Sequence, residues 1–194
     1  MTDYVSKGAI ISKWGTYRYQ LWREWRGTHD AKNWHWHGYR DGDGHAVGEP
    51  MSCLFVMLNP STADGNEDDP TIRRCVAFAK AWKYERLDVV NLFAYRATDP
   101  RALKRLNHND DPVGVDNQHY VEGLARRAGI IVCAWGAHGT HLSQDETMLG
   151  WLGARPLHAL GFTNAGQPRH PLYLKSDARP TLFRSTWREK ELRA

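Results

Sequence analysis

At 194 residues, 41% hydrophobic and 25% charged, the chain has the size and composition of one globular domain with a real core. Its net charge of +4 and pI of about 9.0 permit an anionic partner without requiring one. No apolar run reaches the ~18 residues of a membrane span, no secretory pattern opens the chain, and three cysteines exclude a four-cysteine iron–sulfur or zinc site.

Residues 9–26 alternate aromatic and polar side chains around Trp14-Gly15, which predicts a β-hairpin. Residues 27–50 are rich in Gly, His and Asp and lack a period, so a long loop is expected. Within it, His35, His37 and His45 with Asp41 or Asp43 form a possible cation set. An exposed loop is the stronger reading, because the distal Glu of a calcium loop is missing. Residues 52–58 (SCLFVML) read as a buried strand. Asp69 caps a helix that starts at Pro70, a favourable first position, and carries Ile72, Val76, Ala79 and Ala81 or Trp82 on its apolar face. A second strand follows at 87–93, a helix at 115–128, a third strand at 129–136 and a helix at 143–153. A fourth strand at 156–162 leads into a loop at 166–174, and residues 180–192 read as a terminal helix. The whole chain is read as one domain, with a hairpin and loop (1–50), an α/β core (51–175) and a helical tail (176–194). Cys53, Cys75 and Cys133 lie in apolar stretches with no C-x-x-C, so buried free thiols in a cytoplasmic protein are expected.

Strands alternating with helices predict a mostly parallel four-stranded sheet in a three-layer α/β/α arrangement, with the hairpin packed alongside. In such folds the ligand crevice lies beyond the carboxyl ends of the strands. Those ends are LNPST, NLFAYR, WGAHG and the approach to RHPLY, all polar where the apolar run stops.

The phrases MLNPSTAD, DDPTIRRC, VVNLFAYRATDP, AWGAHG and PRHPLYL resemble the bacterial family called domain of unknown function 1643, over roughly residues 8–175. The same order of strand ends is similar, more distantly, to the uracil-DNA glycosylase superfamily. That resemblance implies that Asn59 orients the attacking water, Asn91 reads the base edge, and His170 stabilises the departing base. An Asn at the water position orients water rather than acting as a base. HPLY, where that superfamily has an H-P-S-P type of loop, makes Leu172 or Tyr173 the wedge that opens a duplex.

The expected function is therefore metal- and cofactor-independent recognition and N-glycosidic excision of a damaged or modified base in DNA, by a monomer with no membrane association. Ser61, Thr62 and Phe93 are assigned beside the base. Arg73, Arg74, Arg96 and Arg169 are assigned to phosphates, and Asp64, Asp69, Trp135 and His138 to the rest of the crevice. Each has a plainer reading. The 59–62 segment is then a strand-to-loop turn, Asn91 a structural hydrogen bond, His170 part of a rigid turn, Trp135 packing and Asp69 a cap. Asp64 and Asp68 sit badly with a phosphate site unless a cation neutralises them. Two other classes stay open: hydrolysis of a free modified nucleoside or nucleotide, and nucleic-acid or nucleotide binding without catalysis.

Overall fold

The structure is a computed structural model that describes residues 4–25, 39–40, 46–47, 51–61, 65, 67–107 and 110–183. The amino-terminal hairpin consists of β1 (Ser6–Ile11) and β2 (Arg18–Glu24). In the 27–50 stretch, β3 (Tyr39–Arg40) pairs with β4 (Ala46–Val47) as a separate antiparallel ladder. The main sheet continues with β5 (Ser52–Met57), β6 (Arg86–Asn91), β7 (Ile130–Cys133), β8 (Leu157–Ala159) and β9 (Thr181–Leu182). Three α-helices are present among the described residues: α1 (Pro70–Ala81), α2 (Asn117–Arg127) and α3 (Gln144–Leu152).

The main sheet has seven strands in the order β1-β2-β6-β5-β7-β8-β9. Its centre, β6-β5-β7-β8, is parallel, and β2 and β9 add antiparallel pairing at the two sides. Every residue of β5 is buried, as a parallel strand covered on both faces requires. Its register sets Phe55 between Val89 of β6 and Val132 of β7. Side chains alternate between two cores. Phe55, Met57, Leu87 and Val89 pack with Ile72, Val76 and Phe78 of α1. Leu54, Val56 and Val90 pack with Leu124 of α2 and Met148 and Leu149 of α3. Burying each such side chain contributes about 1.5–3 kcal/mol, so the two faces together fix the register.

Two expectations are corrected. The sheet has seven strands rather than four, because the two strands of the hairpin join it instead of lying beside it and β9 adds a third: Leu21 pairs with Val89 and enters the α1-side core. The expected helix at 180–192 is absent over 180–183, where Thr181 and Leu182 pair with β8 and Phe183 rests edge-on against Trp135 at 6.0 Å. The Thr181 hydroxyl also donates to the Ala159 carbonyl at 3.1 Å, which ties this segment to β8 as an edge strand. The rest of that segment lies outside the described residues.

Asp68 serves the hairpin. Arg23 is buried and its Nε donates to Asp68 at 2.6 Å, and the Tyr4 hydroxyl donates to the same carboxylate. Gly65 lies flat on β1, where a Cβ would stand 2.8 Å from the Ala9 nitrogen. The segment leaving β5 is thereby held against the hairpin on its way to α1. Cys53, Cys75 and Cys133 are buried and form no disulfide, and burial pushes the Cys53 and Cys75 thiols well up. Among the described residues no helix is long and apolar enough to cross a membrane.

Candidate functional site

A cleft of about 570 Å³ opens beyond the carboxyl ends of the parallel strands, on the α1 side of the sheet. Met57, Val89 and Ile72 give it an apolar floor that continues the core. Polar groups enter where β5, β6, β7 and β8 end, from the first turn of α1 and from the start of β2.

Asn59 follows β5. Its Nδ2 donates to the Ala97 carbonyl at 2.7 Å and to the Pro60 carbonyl at 3.2 Å. Both amide hydrogens are committed to main chain, and Oδ1 remains as an acceptor. Asp69 is the α1 cap: Oδ1 accepts from the Ile72 N–H at 2.8 Å, and Oδ2 accepts from the Ser61 hydroxyl at 3.0 Å. Its carboxylate thus ties α1 to the segment after β5 while lining the cleft.

Asn91 ends β6. Leu87 and Val89 face α1, and strand alternation turns Asn91 the same way. The residue is 2% exposed and lines the cleft, and among the described residues its side-chain amide makes no hydrogen bond. Its main-chain carbonyl is satisfied separately by Asn117 Nδ2 at 3.0 Å. An amide lining a cleft, with its donor and acceptor not taken up by the described residues, can be met by a ligand that supplies both.

His170 opens the short 3-10 turn Pro171–Tyr173, and its Nδ1 accepts from the Leu172 N–H at 3.4 Å. The proton of the neutral ring is therefore on Nε2. Burial lowers the His170 pKa and the nearby Asp69 charge opposes that shift, so the neutral ring prevails at pH 7. The loop that carries His170 is clamped from behind. Trp135 Nε1 donates to Gln167 Oε1 at 2.6 Å, Gln167 Nε2 donates to Asp145 at the start of α3 at 3.0 Å, and the Gly136 N–H donates to the Pro168 carbonyl at 2.8 Å.

Nine residues singled out in the sequence line the cleft: Asn59, Ser61, Asp69, Asn91, Trp135, His138, Arg169, His170 and Tyr173. Phe93 does not, being buried in the opposite core beside His141. Arg73 and Arg74 do not line it either. Arg73 bonds the Asp68 carbonyl, and Arg74 bonds the Leu174 carbonyl while its guanidinium covers Phe78 at 4.8 Å. Arg96 holds the Gly15 carbonyl at 3.0 Å, and Leu172 sits outside the lining. Thr62, Asp64 and the histidines and aspartates of 35–45 lie outside the described residues. Arg18, Thr71, Thr98 and Thr163 line the cleft without having been singled out. Arg18 is the notable one, nearly wholly buried, with burial lowering its pKa to about 10 and Asp69 opposing, so it stays charged at neutral pH. Its only local signal is a cation inside an aromatic-rich strand.

Fold and site together define a mixed α/β protein with a ligand-sized polar cleft at the carboxyl edge of its parallel strands. A family model described as a protein of unknown function (DUF1643) matches residues 18–172, and the chain belongs to that family. Comparison with curated proteins and with solved structures gives no match.

Proposed function

We propose that the cleft binds a nucleobase and hydrolyses its N-glycosidic bond, with a damaged or modified base in DNA as the substrate. The observation that carries this reading is the Asn91 amide, buried on the cleft floor with a donor and an acceptor both unused. A base edge presents the complementary acceptor and donor. Asn59 Oδ1 would accept a hydrogen bond from a water, and His170 Nε2–H would donate to the base. In the reaction the water oxygen bonds to the anomeric carbon as the base leaves with the electrons of the C–N bond, and the proton that the water oxygen sheds ends on the departed base. Donors preset toward the departing anion lower that barrier without reorganising. The base must leave the duplex first, and Tyr173, 75% exposed at the lip, with Leu172 beside it supplies an apolar wedge.

A second reading, hydrolysis of a free modified nucleotide, is favoured by Arg18, whose charge lies in the cleft wall where an anionic group could be held. The test is a panel of labelled single- and double-stranded DNAs, and free nucleotides, carrying uracil, hydroxymethyluracil, hypoxanthine and methylated or glucosylated bases. Base release by the wild type, reduced at least roughly 100-fold in Asn59→Ala and His170→Ala, is the expected result. Release from free nucleotides alone would favour the second reading. Binding without release on every substrate would make this a binding module.

A further inference from the structure

We infer that the β1–β2 turn is a stacking platform for an unpaired base neighbouring the one held in the cleft, with Trp14 as the platform. This deepens the proposed nucleic-acid function and rests on it.

Trp14 is 82% exposed at the tip of the hairpin. An indole so bare contributes little to the core, so the fold gives no reason for it. Lys13 places its ammonium 5.1 Å from the ring centroid, which pairs a cation with an aromatic face. Cation plus exposed aromatic is the chemistry that holds single-stranded nucleic acid, with the phosphate attracted and the base stacked.

Hydrogen bonds fix the main chain of the turn that carries the indole. Ser12 N–H donates to the Tyr17 carbonyl at 2.9 Å, Tyr17 N–H donates to Ser12 Oγ at 3.0 Å, and Gly15 N–H donates to the Ser12 carbonyl at 2.9 Å. Gly15 adopts φ of +75°, which a side chain would resist. A turn fixed in advance loses little main-chain entropy on binding.

Main-chain links join the turn to the cleft. The Arg96 N–H donates to the Thr16 carbonyl at 3.0 Å, and the next carbonyl, of Ala97, accepts from Asn59 at 2.7 Å. The turn is thereby tied to the segment after β6, whose Ala97 and Thr98 line the cleft, and Tyr173 comes from the segment after β8. On this proposal a strand that places one nucleotide in the cleft lays the next on the turn.

The test is fluorescence anisotropy with end-labelled single-stranded and mismatched duplex oligonucleotides, using wild type, Trp14→Ala, Trp14→Phe and Lys13→Gln. The prediction is that Trp14→Ala weakens binding roughly fivefold to 150-fold with unchanged melting temperature, and that Trp14→Phe recovers most of it. Lys13→Gln should lower the salt dependence by about 0.7 in log–log slope, the value of one single-strand phosphate contact. Equal affinity of wild type and Trp14→Ala, alongside intact base release, would overturn the inference and leave the cleft reading standing. Base release from free nucleotides by a wild type that binds no oligonucleotide would remove both the DNA reading and this one.

Discussion

Asn59 gives both amide hydrogens to main-chain carbonyls, and Asn91, the same residue type one strand away, gives none to a described residue. The first is locked by the fold and presents one oxygen; the second is held in place by its strand and presents a whole amide. His170 lies between these cases, with one ring nitrogen accepting a main-chain N–H and the other left to donate. Its depressed pKa has a stability consequence. The unfolded chain takes up the His170 proton near the ordinary histidine value of about 6.5, and the folded chain only at lower pH. Over that window the unfolded state binds more protons, so stability falls as pH drops and levels off once both states are protonated. The expected result is a melting temperature whose decline from pH 7 toward pH 5 is shallower in His170→Gln than in wild type, measured by calorimetry. Asn59 and Asn91 were legible in the sequence because each closes an apolar run with a polar side chain, and His170 through the resemblance that its RHPLY loop carries. Arg18 was not, since its place depends on β2 pairing antiparallel to β6, a long-range choice that no local pattern encodes. Phe93 misled in the opposite way. Counting by twos along a strand puts it beside Asn91, but β6 stops at Asn91 and the chain turns Phe93 into the other core.

Among the elements, α1 does most to build the site. Its start was readable from Asp69-Pro70, and the structure adds that the cap serves the cleft as well as the helix. The Asp69 carboxylate accepts the Ile72 N–H and the Ser61 hydroxyl, and its charge holds the His170 pKa up against burial. Asp69→Ala should destabilise the protein by about 1–2 kcal/mol in chemical denaturation, the cost of a lost cap. Asp69→Asn should retain most of that stability, because its carbonyl can still cap. In both variants the His170 pKa, followed by NMR, should drop below its wild-type value, since the opposing negative charge is gone. The hairpin is the element least well anticipated. Its aromatic alternation predicted two strands correctly, but strand membership in the sheet came from Leu21 seated against α1 and from the Arg23–Asp68 pair, both invisible locally.

At the scale of the molecule, a four-stranded parallel centre carries the cleft, and antiparallel strands on either side extend the sheet to seven. The alternation of apolar and amphipathic segments made that centre legible. The added strands were not, because β9 is two exposed residues in length and the hairpin reads the same whether it joins a sheet or packs beside one. The division of labour between core and cleft makes a further prediction. Two apolar cores supply the stability, and Asn91 lines the cleft where it adjoins one of them. Under the proposed function Asn91 is kept for the ligand, and an apolar residue in its place would extend the core. The most direct measurement is the melting temperature and base release of Asn91→Leu, side by side with wild type. The account predicts a melting temperature equal to or above wild type, with release lowered at least roughly 100-fold. A fall of several degrees with release unchanged would mean that Asn91 is structural and that the cleft does not read a base.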